Sequence, residues 1–462
     1  MNVLWLCNVM LPMVAKQLNM ESTNKEGWIT GLAEMVLFHR SENNIELTVA
    51  FPAPKEMFPE EHDVCKRVVD TENGKLICYG FYENTLRPDL YDSELESRLK
   101  KIINAVKPDI VHCFGTEYPH TLAMCRIFPR KDRILLGLQG LCSVCANAYF
   151  ANMPDKAIDT VTFRDRLKND SLREQQKKFA KRGTMEMEAI KLAGNVTGRT
   201  EWDRYYTKAW NPDICYYNMN EILRSDFYER KWSAENCEKY SIFVSQGDYP
   251  IKGLHYMLTA LPIIKERYPD VKVYVAGPNL TRYRTIKQKL KISGYGKYLR
   301  QLIKKNKLMK NVVFVGKLDS EQMRDQYLKC SLFVCPSSIE NSPNSLGEAM
   351  LLGMPCVSAD VGGIPSIFTA DEDGILYEGF RSPKNAFDNI SNLKGKENMQ
   401  LELISKRLAN AVIDMWSRKD KIDEFCKNAR IHAKKTHNRE RNYKKLSEIY
   451  SKVISGVRTD SE

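Results

Sequence analysis

Short runs of consecutive apolar residues recur along the chain, separated by amphipathic or polar stretches. In the first half they are VLWLC (3–7), IELTVAF (45–51), KLICYGF (75–81), DIVHCFG (109–115) and RILLGLQG (133–140). In the second half they are YSIFVSQ (240–246), VKVYVAG (271–277), NVVFVG (311–316), SLFVCPS (331–337) and PCVSA (355–359). Apolar residues often occupy successive positions. Alternation would mark a half-exposed strand, whereas continuous runs mark strands covered on both faces. Helical segments between the runs point to βαβ units and parallel sheets.

The rhythm breaks between about 150 and 240. The polar stretch 160–193 predicts one long helix, and NVTGRT and ICYY predict two short strands after it. The charged segment NEILRSDFYERKWSAENCEKY then precedes the restart, so the domain boundary is expected near 220–238. The fold class is α/β, with two doubly wound domains. The first spans 1–225, the second 226–405, and helices rich in Lys and Arg fill 406–462. The length of 462 residues would allow roughly three domains, but two of ~200 residues fit as well.

Composition is that of a folded globular chain, with 43% hydrophobic and 28% charged residues. The net charge of +12 is partly local: Thr281 to Lys310 holds eleven Lys or Arg and no Asp or Glu. Such a run predicts an anionic partner (phosphates, an acidic lipid surface or nucleic acid), unless it is simply a solvated helix face. Thirteen cysteines are scattered without pairing, and Met1 leads into a strand-like run with no basic segment before it. A reducing cytoplasm is therefore expected. Cys142 and Cys145 form a lone CxxC; with no second CxxC, free thiols are expected rather than zinc. No apolar run reaches ~18 residues, so membrane contact would be peripheral. No GxGxxG follows the first strand and no GxxxxGK[ST] occurs, which argues against dinucleotide and P-loop chemistry.

The candidate chemistry sits in CPSSIENSPNSLGEAMLLGMPCVSADVGGIPSIF, Cys335 to Phe368. Ser342-Pro343 reads as an N-cap with proline at the first helical position, and the helix should end at Gly353. The amides around Asn344, Ser345 and Leu346 would then face the crevice at the carboxyl end of a parallel strand. A helix start there accepts phosphate without a basic side chain. Glu340 lies before this helix and Glu348 about one turn inside it, so both can bracket a ligand and accept hydrogen bonds from sugar hydroxyls. The plainer alternative is a surface Glu and a first-turn Glu that favours the helix dipole.

The spacing E-x7-E followed by AMLLGMPCVSADVGGIP resembles the retaining nucleotide-sugar glycosyltransferases of family four, which have the GT-B fold. The likeness is specific from about Tyr240 to Glu378, through IKGLHYMLTALPIIKERYPDVKVYVAGP, NVVFVGKL and TADEDGILYE, and looser before 220. It implies two Rossmann-like domains facing across a cleft, with the last helix crossing back to the first domain. It implies that Glu348 holds the ribose, Glu340 contacts the donor sugar, and amides near Ser345 and Leu346 hold the diphosphate. Lys252 matches the lysine that pairs with the diphosphate, and Gly316 and Lys317 the backbone facing the base. A lysine suits that place, because a point charge stabilises a leaving diphosphate. On the acceptor side, Gly27 and Trp28 resemble an acceptor loop, and His112, at a strand end facing the cleft, falls in a histidine-bearing motif.

Three positions depart from the family pattern. Gln246 stands where an Arg is usual, Gln139 where a His near the donor sugar is usual, and Ser366 where a Glu is common. Arg199, Glu201 and Asp203 in GRTEWD are further cleft candidates without a role. Asp371, Glu372 and Asp373 read as a polar turn and not as a metal site, and no metal or other cofactor is expected. The expected activity is transfer of a sugar from a nucleotide sugar to a saccharide or lipid-linked saccharide acceptor, with retention, in polysaccharide building. An anionic membrane surface is an expected partner for 160–193 and 281–310. A nucleotide-sugar epimerase or phosphorylase on the same fold is the alternative. Nucleic-acid binding rests on net charge alone and lacks aromatics interleaved with the basic residues.

Overall fold

β1 (Asn2–Cys7) is buried from Val3 onward, as a strand inside a covered sheet must be. It pairs in parallel with β2 (Glu46–Ala53) on one side and β5 (Ile110–Phe114) on the other. The sheet is completed by β3 (Val64–Thr71), β4 (Gly74–Tyr82), β6 (Ile134–Gly137), β7 (Asn195–Gly198) and β8 (Cys215–Asn218), in the order β3-β4-β2-β1-β5-β6-β7-β8. All neighbours are parallel except β3 and β4. β3 has no counterpart among the apolar runs, because VCKRVVDT is an edge strand with much of its length solvated. The computed structural model describes residues 1–20, 27–58, 63–380 and 397–457.

A second sheet runs through β9 (Glu238–Val244), β10 (Lys272–Ala276), β11 (Val312–Gly316), β12 (Cys330–Cys335), β13 (Cys356–Asp360) and β14 (Ile375–Glu378). Its order, β11-β10-β9-β12-β13-β14, is parallel throughout. The strand order reverses between β9 and β12. Such a reversal is where doubly wound sheets hold ligands, at the carboxyl ends of the strands.

The chain forms two compact units. One comprises Met1–Val144, Lys178–Arg224 and Thr436–Glu462, and the other Cys145–Lys177 and Ser225–Lys435. Residues 145–177 therefore group with the second sheet. Their ties to it are specific: Tyr256 Oη donates to Asn152 Oδ1 at 2.8 Å, and the Gly294 N–H to Asp165 Oδ2 at 2.8 Å. The C-terminal helix Arg439–Ser455 belongs to the first unit. It buries Tyr443, Leu446, Ile449, Tyr450 and Val453 in the core that holds Trp5 and Phe51. Each large apolar side chain so buried contributes about 1.5–3 kcal/mol.

The stretch 160–193 is not one helix. The Thr162 hydroxyl accepts the Asp165 N–H, and the Asp165 carboxylate accepts the Thr162 N–H, which starts a short helix at Phe163–Lys168. Asn169, left-handed at φ 48°, ends it, and Leu172–Leu192 begins anew. Charge and polarity fit a helix throughout, but the caps decide where it stops.

Candidate active site

After β9 the chain makes a single 3-10 turn, Pro250–Lys252, closed by Gly253 at φ 70°. A Cβ at 253 would stand 1.8 Å from the Pro336 carbonyl oxygen. Only glycine lets this turn lie against the loop that follows β12. The Lys252 ammonium then meets Glu340 Oε1 at 2.6 Å, and the Ser337 hydroxyl donates to the same oxygen at 2.7 Å. Burial alone would lower the Lys252 pKa, but the Glu340 carboxylate beside it overrides this and holds it well above the lysine range. Lysine thus stays charged. The Glu340 backbone is fixed too. Its carbonyl accepts the Gly363 N–H at 3.0 Å, and a Cβ at Gly362, φ 56°, would stand 2.0 Å from that oxygen.

The helix beyond this loop is Asn344–Leu352, with Pro343 as N-cap and Gly353 left-handed after it. Proline thus sits one position earlier than expected, and no side chain caps the helix, so Ser342 is not its N-cap. The Leu346 N–H already donates to the Pro343 carbonyl at 2.9 Å, so the first turn tightens there; Asn344 and Ser345 precede it. Tyr327 Oη donates to the Ser345 carbonyl at 2.9 Å and steadies the turn. Glu348 lies inside the helix, 5% exposed. Gln246 follows β9 and is half-buried. Gly316, at φ 88°, ends β11, and the exposed Lys317 follows it, two strands away on the same sheet edge. The structure thus brings Lys252, Glu340 and the start of the Glu348 helix together. Gly316 and Lys317 lie on that same edge, at the end of β11.

The acidic triplet is a turn. Asp373 accepts the Thr369 N–H at 2.8 Å and pairs with His432 at 2.7 Å, and Asp371 pairs with Arg418 at 3.0 Å.

In the first unit, Gly27 and Trp28 open the helix Gly27–Phe38 rather than forming a loop. The residues before them, 21–26, lie outside the described residues. His112 is not at an open strand end. It sits mid-strand in β5, 1% exposed, with Nδ1 2.9 Å from Tyr450 Oη. Burial lowers its pKa to about 3, so it is neutral. Gln139 stands two residues past β6 and is half-buried; its carbonyl accepts from Arg199 Nη2 at 3.1 Å. Arg199 pairs with Glu221, a residue for which the sequence reading had no role. Asp203 caps the next helix through Thr200, and Glu201 is exposed.

Residues 225–409 match the family model for glycosyl transferases group 1. In this segment the chain is similar to the group 1 glycosyl transferases. Among curated proteins, spore coat protein SA of Bacillus subtilis is 26% identical over 175 residues, 38% of this chain and 44% of its own length. The chain spans less than half the length of the first curated relatives it matches. Among solved structures, sucrose-phosphate synthase from Thermosynechococcus elongatus is similar over 99% of this chain and 100% of its own, with TM-score 0.67 and 14% identity. Anabaena HepE in complex with UDP-glucose is similar over 98% of this chain and 99% of its own, with TM-score 0.61 and 15% identity. The fold is GT-B, as in these structures.

Proposed function

We propose that the chain transfers a sugar from a nucleoside-diphosphate sugar to a saccharide acceptor, with retention of configuration, as a family-four enzyme of surface-polysaccharide building. The observation that carries this reading is the charged Lys252, 2.6 Å from Glu340, beside the start of the helix that buries Glu348. A diphosphate at that helix start would draw on the Lys252 ammonium and the first-turn amides of Asn344 and Ser345. As the glycosidic bond breaks, negative charge grows on the leaving diphosphate, and Lys252 neutralises it. Lysine and the helix start take the part that a cation plays elsewhere, so no metal is assigned. Glu340 holds the donor sugar and Glu348 the ribose; Gly316 and Lys317 face the base, and Gln246 donates a hydrogen bond to the donor. HepE, which shares the fold, binds UDP-glucose. That supports a nucleotide sugar as the donor. The acceptor is assigned to the first unit, on the side of Gly27, Trp28, His112 and Gln139.

The test is a thermal-shift and turnover panel of nucleotide sugars on the native chain and on the Glu340→Ala, Glu348→Ala double variant. A bound ligand raises Tm, and the double variant should lose that rise and the turnover. Unchanged affinity and turnover would sink the reading.

An anionic membrane surface is the proposed second partner. The helices Phe163–Lys168 and Ile286–Lys291, both in the second unit, pack against each other. Asp165 anchors the first from beneath, through the Gly294 N–H. Phe163, Leu167, Ile286 and Leu290 stand 62%, 76%, 77% and 50% exposed. The same two helices and the residues leading into the second carry seven exposed cations: Arg166, Lys168, Arg282, Arg284, Lys287, Lys289 and Lys291. Each cation near an acidic bilayer is worth about 1 kcal/mol, and the apolar side chains enter the headgroup boundary. Among the described residues no helix is long and apolar enough to cross a membrane. Co-sedimentation with vesicles should rise with anionic lipid and fall several-fold on Phe163→Ser with Ile286→Ser. Binding indifferent to lipid charge contradicts the proposal.

A further inference from the structure

A cavity of about 30 Å³ lies in the first unit at the ends of β5 to β8, lined among others by His112, Gly137, Thr197, Arg199 and Glu221. The half-buried Gln139, Met219 and Asn220 line it as well and form its outer side. Among the described residues, three of the lining side chains carry a buried polar atom with no hydrogen-bond partner: His112 Nε2, Arg199 Nε and Glu221 Oε2. An orphan buried polar group costs about 1–3 kcal/mol, and three around one cavity ask for a shared ligand.

We infer that this cavity is a subsite for a hydroxyl group of a neutral saccharide, held by His112, Arg199 and Glu221. The inference rests on the transferase reading above and names a group that the first unit would grip. The polarity of each atom selects the ligand. Trp5 Nε1 can only donate, and it donates to Tyr450 Oη at 2.8 Å. The Tyr450 proton then goes to His112 Nδ1, 2.9 Å away. That leaves the ring proton on Nε2, as a donor. Arg199 Nε is also a donor, and Glu221 Oε2 an acceptor. An anion would meet the Glu221 carboxylate, and a cation would meet two N–H groups. A hydroxyl accepts from the donors and donates to the carboxylate.

The site is built in advance. Arg199 Nη1 donates to Glu221 Oε1, and Nη2 donates to the Leu138 carbonyl at 2.8 Å and the Gln139 carbonyl at 3.1 Å. The Glu221 carbonyl accepts from Asn442 Nδ2 at 3.2 Å and lies 2.9 Å from His437 Nδ1. Gly137 keeps space open: a Cβ there would stand 3.2 Å from His112 Nε2 and 3.5 Å from Thr197 Oγ1. One water needs roughly 10–15 Å³ by this measure, so the cavity takes one or two groups of hydroxyl size and nothing bulkier.

Saturation-transfer NMR on the full chain, with UDP or GDP present, tests this with methyl glycosides of glucose, galactose and N-acetylglucosamine and with the matching uronic acids. The native chain should bind a neutral glycoside and not its uronic acid. Gly137→Ala fills the cavity and removes no polar group; it should weaken that glycoside about tenfold, the worth of one or two neutral hydrogen bonds. Glu221→Gln turns the acceptor into a donor and removes the carboxylate paired with Arg199, so preference should swing to the uronic acid. Equal glycoside binding by native chain and Gly137→Ala overturns the subsite. So does a native chain that binds nucleotide sugar but no neutral glycoside, which means ordered water only. Should Gly137→Ala fail to fold, Glu221→Gln with unchanged preference overturns it alone. Absence of nucleotide-sugar binding in the native chain sinks the transferase reading instead.

Discussion

In the second unit, Lys252, Glu340 and Ser337 close on one another at 2.6 and 2.7 Å, whereas in the first, His112, Arg199 and Glu221 each leave a buried polar atom unmet. Both are ion pairs, Lys252 with Glu340 and Arg199 with Glu221. They differ in burial: the Lys252 and Glu340 side chains are 20% and 12% exposed, those of Arg199 and Glu221 4% and 8%. In the function proposed above, a diphosphate takes over the lysine of the more open pair, where charge develops, while the more buried pair offers its remaining atoms to a hydroxyl.

The largest effect should come from the more open pair. Lys252→Ala should lower kcat/KM with nucleotide sugar by about 10²–10³-fold, the usual loss when one electrostatic stabiliser of a leaving group is removed. Steady-state kinetics reads it, and a loss below tenfold would place leaving-group stabilisation elsewhere. Next, Glu348→Ala should weaken nucleotide affinity about 10- to 100-fold by calorimetry, because one charged hydrogen-bond acceptor is worth about 1.5–3 kcal/mol.

The glycines sharpen the contrast. Gly253→Ala meets the Pro336 carbonyl at 1.8 Å from a left-handed backbone, so Tm should drop by several degrees and Lys252 should be displaced. Gly137→Ala meets His112 Nε2 at 3.2 Å, a tight contact that a small shift relieves, so its Tm loss should be the smaller of the two. Equal losses would mean that the first unit's cavity is as tightly packed as the second unit's turn.

Protonation separates the units by smaller margins. Burial holds His112 down to about 3 and His255 down to about 4. Unfolded histidine takes a proton below its ordinary 6.5 while these stay neutral, so stability should fall as pH drops from 6.5 toward 4. Glu186, in the first unit, is pushed up to about 8 by burial, offset in part by the Thr116 hydroxyl. It keeps its proton where the unfolded chain loses it, so it costs stability as pH rises from 4.5 to about 8. Glu186→Gln should therefore raise Tm near pH 8 and change it little near pH 4.5. A Tm gain independent of pH would contradict the assignment.

The proposed donor side is readable in the sequence because most of its candidate residues lie in one stretch, Cys335 to Phe368, and Lys252 in the single turn IKG. Strand, loop and helix follow one another there, so spacing along the chain is close to spacing in space. The first unit offered no such shortcut. GRTEWD supplied Arg199 without a role, and NEILR was read as charge before a boundary. Nothing local shows that Glu221 meets Arg199, or that His112 lies under Tyr450 of the last helix, 338 positions away. The misread helix over 160–193 has the same cause on a smaller scale: two caps inside a uniformly polar stretch outweigh its periodicity.

The sequence by itself determined the α/β class, the parallel strands and the helix start beside Glu340, because each depends on neighbours along the chain and on burial that apolar runs announce. The tertiary structure alone decided that residues 145–177 join the second sheet, that His112 is buried and neutral, and that its unmet nitrogen lines a cavity with Arg199 and Glu221. Hydrogen-bond satisfaction is a property of atoms brought together from distant segments, and no spacing rule along the chain carries it.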